Sequence, residues 1–151
     1  MFLNIVLLIL GVGLDQFSKY LVSSSMTFGE SITIIPNVLN FNLTYNTGAA
    51  FSILEGKQWI FILITILVLI FLIREMLDTL SVYYKMSLIV LISGIIGNLI
   101  DRIAHGYVID FIQIDKSLIQ FDFPIFNVSD ILIVGGVIML LLRMLLKRNH
   151  I

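Results

Sequence analysis

The sequence predicts an integral membrane, α-helical protein with four transmembrane helices and a small extracytoplasmic β-sheet element. Three observations carry that expectation. The 151 residues are 59% hydrophobic and only 13% charged, with a mean hydropathy of +1.07, far from the roughly half apolar and quarter charged make-up of a soluble domain. Four stretches are long and apolar enough to cross a bilayer, which takes about 20 residues each. Between the first two lies a segment whose β-branched and aromatic residues alternate with polar ones.

The first helix is expected over about residues 1–22, "MFLNIVLLILGVGLDQFSKYLV". No Lys or Arg precedes its apolar run, so it reads as a retained helix and fits a secretory signal poorly. The outer β-rich loop follows over about 23–56, with turn signals at Pro36-Asn37 and Asn46-Thr47-Gly48. The second helix, about 57–76, is uniformly apolar between Trp59 and Arg74 and reads as scaffold. In the third, about 86–103, Ser93, Gly94 and Gly97 allow a neighbouring helix to approach closely. Its far end turns polar at Asn98, Asp101 and Arg102. A second outer loop, "YVIDFIQIDKSLIQFDFPIF", also alternates in places and is expected to add strands. The fourth helix covers about 128–147. With four spans and short connections, residues 1–151 are expected to form a single membrane domain.

Four spans put both termini on one side. The C-terminal tail and the 74–85 connection hold five of the nine Lys and Arg residues (Arg74, Lys85, Arg143, Lys147, Arg148), which assigns that side to the cytoplasm. Asp15, Lys19, Asp101, Arg102, Asp110 and Asp130 then gather near the outer face. The net charge of −1 argues against nucleic acid as a partner, and the chain is expected to work as a monomer among membrane lipids. It has no cysteine, hence no disulfide, thiolate site or cysteine nucleophile of its own. His105 and His150 stand in no metal-ligand spacing, and no Ser has an evident base, so neither a metal nor a cofactor is expected.

Asp130, at the mouth of the fourth apolar run, has two readings. With Asn127 as N-cap it completes a variant capping box at the positive end of the helix dipole. Paired with Asp110, which follows the third helix on the same side, it forms a carboxylate dyad. Two such groups share one proton, so one activates a water while the other donates to a carbonyl, which is peptide hydrolysis without a covalent intermediate. Asn98 and Arg102, four residues apart, share a helix face and either line a site or only bond neighbouring helices. Asp15 and Lys19 have the spacing of an ion pair that ties the first helix to its neighbours. Asn46 either presents its amide from a glycine turn or only builds that turn, and Asp101 lies beside the Asn98–Arg102 face and either belongs with it or is an ordinary interfacial charge. A competing reading, a proton-coupled transporter subunit with Asp15, Lys19 and Asp130 as a relay, lacks midplane acids and repeats.

Five motifs, "DQFSK" (15–19), "NTGAAF" (46–51), "GNLIDR" (97–102), "VIDF" (108–111) and "FNVSD" (126–130), occur in an order and spacing that resembles the prolipoprotein (type II) signal peptidases of bacteria. The resemblance runs along nearly the whole chain. It implies a multi-pass enzyme of the bacterial cytoplasmic membrane that cleaves lipidated precursors just before a diacylglyceryl-modified Cys, without cofactor. It further implies that Asp110 and Asp130 are the catalytic pair and that Asn46, Asn98, Arg102 and Asn127 surround substrate. Asp15 and Lys19 would serve integrity, and Gly94 and Gly97 local packing. Ser129 stands where the family usually has Ala, and Ser93 where Gly is common. Phe51, Phe111, Phe121 and Phe123 are expected to cover the site or dip into the interface.

Overall fold

The computed structural model describes residues 2–48 and 58–148. Its elements are α1 (Phe2–Ser25), β1 (Ser31–Ile35), β2 (Leu39–Asn46), α2 (Gln58–Asp78), α3 (Val82–His105), β3 (Val108–Ile114), α4 (Lys116–Ile119) and α5 (Val128–Arg148). Four of these, α1, α2, α3 and α5, are long and apolar enough to cross a membrane. They match the four expected spans, though α1 runs three residues further and α3 starts four residues earlier. Local chemistry explains the α3 limits. The Ser81 hydroxyl accepts from the Tyr84 N–H, satisfying a free donor of the first turn. Gly106, at φ 79°, closes the other end in the left-handed conformation with its N–H on the Arg102 carbonyl, a geometry glycine adopts without penalty.

The chain folds around α3. Residues at its centre, among them Leu88, Ile92, Ser93 and Gly94, are buried, whereas α2 exposes Trp59, Leu63, Leu67 and Phe71. Exposed apolar side chains around a helix are the expected face toward lipid, and polar groups turn inward. Leu69, Leu88 and Ile92 form one core, joined by Leu8 and Leu140.

The sheet is antiparallel throughout, in the order β1-β2-β3. The β1–β2 hairpin turns at the Pro36-Asn37 signal, with Asn37 at φ 60°, a conformation Asn tolerates better than most residues. The second outer loop does add a strand, β3, whose Asp110 lies opposite Thr44 of β2. Leu43, Ile109 and Phe111 pack on Val22 and Met26 at the end of α1, so the sheet is docked on the bundle. The backbone of Phe126 exchanges hydrogen bonds with Ile112 (2.7 and 3.0 Å). That exchange brings the start of α5 alongside β3.

Candidate active site

Asp110 comes from β3 and Asp130 from the first turn of α5, and both reach the head of one cavity of about 630 Å³. The expected capping box is present. Asp130 N–H donates to Asn127 Oδ1 at 3.0 Å, and Asn127 N–H donates back to Asp130 Oδ2 at 3.1 Å. The cap reading and the pair reading of Asp130 are therefore compatible, because the same contacts that start the helix fix the carboxylate.

Asn127, fully buried, bridges the two acids. Its Nδ2 donates to Asp110 Oδ1 at 2.6 Å and to Asn98 Oδ1 at 3.0 Å. Asn46 Nδ2 donates to the other oxygen, Asp110 Oδ2, at 2.9 Å, and its own Oδ1 accepts from the Gly48 N–H. Asn98 Nδ2 donates to Asp130 Oδ1 at 2.9 Å. Three asparagines thus supply neutral donors to two carboxylates.

Asp110 is only 3% exposed. Burial pushes its carboxyl up from the ordinary 3.8 to about 6, with the Asp130 charge adding to the rise and the Asn46 and Asn127 donors opposing it. In the folded protein Asp110 consequently holds a proton at pH values where an ordinary carboxylate has lost it. Its contribution to stability is largest below pH 3.8 and is lost as pH climbs through 6.

Arg102 and Asn98 share the predicted face and line a second cavity of about 320 Å³ with Thr65, Ile133 and Asp130. Asp130 therefore stands between two cavities. Arg102 makes no salt bridge among the described residues and lies 5.9 Å from the Phe61 ring centroid, within cation–π range.

Beneath the acids, Asp15 and Lys19 form the expected pair at 2.8 Å, both almost fully buried. Asp15 does more than hold Lys19, since its Oδ1 accepts from the Ser129 N–H at 2.7 Å and so satisfies another free donor of α5. Asp101 is 1% exposed, which excludes the interfacial-charge reading and leaves it with the buried face. It pairs with Lys19 at 2.8 Å and accepts from the Ile109 N–H at 3.0 Å. The signal was present in the spacing, for Asp101 lies three residues from Asn98 and hence near the same face. Gln16, which sequence reasoning passed over, donates to Asp101 Oδ1 at 2.9 Å and to the Gly97 carbonyl at 3.1 Å.

Of the described aromatic residues expected to cover the site, only Phe123 lines the large cavity. Phe111 is buried edge-on against Phe41 at 5.4 Å, because β3 turns it into the sheet's core. Phe121 is exposed, and Phe51 lies outside the described residues.

Ser129 is fully buried and its Oγ has no hydrogen-bond partner among the described residues. An unpaired buried hydroxyl costs about 1–3 kcal/mol. Ser129→Ala is expected to raise the thermal midpoint in detergent by a few degrees; a lower midpoint would mean that the hydroxyl is satisfied after all.

Residues 7–146 match the sequence profile of the family described as Signal peptidase (SPase) II. This chain belongs to the signal peptidase II family. It is 42% identical over 140 residues to a lipoprotein signal peptidase of Enterococcus faecalis, a match covering 91% of this chain and 84% of the relative. To one of Staphylococcus aureus it is 36% identical, over 94% and 87% of the two chains. A solved bacterial membrane enzyme, determined by the in meso method at 1.9 Å resolution, superposes with a TM-score of 0.89 at 35% identity, covering 96% and 94%. A second, at 2.3 Å, gives a TM-score of 0.90 at 34% identity, covering 99% and 92%. As a signal peptidase II the chain is a multi-pass membrane protease.

Proposed function

We propose that this signal peptidase II is an aspartyl endopeptidase that removes signal peptides from lipidated prolipoproteins, cutting just before the diacylglyceryl-modified Cys. The observation that carries this reading is the convergence of Asp110 and Asp130, from separate elements, on the head of one largely apolar cavity. One carboxylate, ionised, takes a proton from water as the water attacks the scissile carbonyl. The other, protonated, donates to the developing oxyanion. Protons then pass to the leaving amine, and no covalent enzyme intermediate forms. The proton belongs to the pair, and apparent pKa values describe both acids together.

Asn46, Asn98, Arg102 and Asn127 surround the scissile segment in this reading, with Arg102 as the cation open to a carbonyl or carboxylate. The cavity extends from the acids along Ile131, Val134 and Ile138, walls suited to the apolar part of a signal peptide. A lipidated precursor stays in the bilayer, so its scissile bond lies near headgroup level. The reading places the acids at the outer face of the bacterial cytoplasmic membrane, with both termini cytoplasmic, and the chain acting as a monomeric single domain among lipids.

The test is cleavage by the purified protein in detergent or lipid, with matched diacylglyceryl and unlipidated precursors and products identified by mass spectrometry. The expected products are a free signal peptide and a protein beginning at the lipidated Cys, from the lipidated precursor alone. Cleavage at another bond, or indifference to the lipid, would overturn the proposal.

A pH prediction follows from the Asn46 contact. The Asn46 amide favours ionised Asp110, so Asn46→Ala raises the Asp110 pKa further. Whichever limb of the pH–rate profile Asp110 dominates is expected to move upward by roughly one unit. An unmoved profile would show that Asn46 serves substrate alone.

A further inference from the structure

Lys19 stands where three anionic or polar groups meet. Its Nζ is 2.8 Å from Asp15 Oδ2 and 2.8 Å from Asp101 Oδ2, and it donates to Asn98 Oδ1 at 3.0 Å. The last contact settles which way the Asn98 amide faces. With Oδ1 turned toward Lys19 and toward the Asn127 amide, the NH₂ group must face Asp130, to which it donates at 2.9 Å. A flipped amide would set NH₂ against an ammonium and a second NH₂ group, and oxygen against the Asp130 carboxylate. All three contacts would turn repulsive.

Each acid of the cluster has its own donors besides the lysine. Asp15 accepts from Ser129 N–H, and Asp101 accepts from Ile109 N–H and Gln16 Nε2. The Ile109 contact matters for the site because Ile109 precedes Asp110 on β3. The charged groups in contact with Lys19 are Asp15 from its own helix and Asp101 from α3; Asp110 of β3 feels its charge, and Asp130 of α5 is reached through Asn98. Arg102 lines the second cavity together with Asp130.

We propose that Lys19 is a positioning residue for the hydrolysis: it holds the Asn98 amide in the orientation that donates to Asp130, while Asp101, sharing its charge, anchors the strand that carries Asp110. The proposal rests on the aspartyl reading and goes beyond an integrity role, because it makes the proton affinity of the acid pair depend on a residue that touches neither acid. Losing the ammonium removes a charge that favours ionised Asp110.

The variants are Lys19→Met/Asp101→Asn, which removes one charge of each sign and leaves an acceptor for the Ile109 N–H, and Lys19→Gln, which keeps a donor without the charge. In the double variant, kcat per folded molecule is expected to fall at least about tenfold with KM within about threefold, and the pH–rate profile to shift to higher pH by roughly one unit. In Lys19→Gln the amide orientation survives, so the profile shifts while kcat at its optimum stays within about threefold. Should the double variant fail to fold, Lys19→Gln decides alone. An unmoved profile in the folded variants, with activity tracking only the folded fraction, would reduce Lys19 to a structural part. If Asp110→Asn and Asp130→Asn abolish cleavage while the Lys19 profile is unmoved, this proposal falls and the dyad stands. Retained cleavage in those Asn variants would sink the dyad itself.

Discussion

Asp110→Asn and Asp130→Asn are each expected to lower cleavage of a lipidated precursor by about 10³-fold or more, since each removes a group that must give or take a proton at the reacting carbonyl. Asn matches Asp in shape and cannot exchange a proton at neutral pH. At position 130 it still offers an oxygen to the Asn127 N–H, so the capping box survives. Position 110 has no spare acceptor. Both Asp110 oxygens accept from amides, Asn127 Nδ2 and Asn46 Nδ2, and an Asn there sets NH₂ against one of them. At position 130 the NH₂ likewise faces the Asn98 amide that donates to Asp130 Oδ1, so a moderate fall in thermal midpoint is expected for both variants. Turnover within tenfold of wild type in either folded variant would refute the dyad.

The second large effect is on folding. A methyl group added at Gly94 would strike the Ser129 carbonyl oxygen and the backbone and side chain of Ile133, and one at Gly97 would strike Ser129 Oγ and the Asp15 carboxylate. Both glycines let α3 lie against the start of α5. Gly94→Ala and Gly97→Ala are expected to destabilise by about 3 kcal/mol or more, the upper range of overpacking, because the obstacles are backbone or a buried carboxylate. Gly13→Ala meets nothing within 4 Å and should stay within about 1 kcal/mol of wild type. Adding Ser129→Ala to Gly97→Ala should restore more than the gain it gives alone, and adding it to Gly94→Ala no more than that gain. Thermal midpoints in one detergent read them all; a Gly94→Ala midpoint equal to that of Gly13→Ala would mean that the helices are not in close contact there.

Local chemistry was legible from the chain. The four spans follow from runs of apolar residues, the Pro36-Asn37 turn from its residue types, and the Asn127–Asp130 cap from a spacing that the α-helix imposes. The Asp15–Lys19 pair likewise needed only the four-residue period. Phe111 was misjudged because alternation says that successive residues face opposite sides of a strand, without saying which side meets α1. Asp101 stayed between two readings because one-face spacing does not reveal whether that face meets water or a neighbour's ammonium.

By itself, then, the sequence determined a membrane protein with four helices, a capped fourth span and the motifs of the signal peptidase II family. Only the tertiary structure decided that Asn127 bridges Asp110 and Asp130, that Asp130 stands between two cavities, and that Lys19 reaches the acids through Asn98. The reason is physical. Composition and periodicity report each residue's neighbours within a turn or two of helix, whereas these contacts join residues from 17 to 79 positions apart. Their geometry depends on how closely α3, α5 and β3 approach, and that closeness is set by glycines and a strand pairing whose partners the sequence does not name.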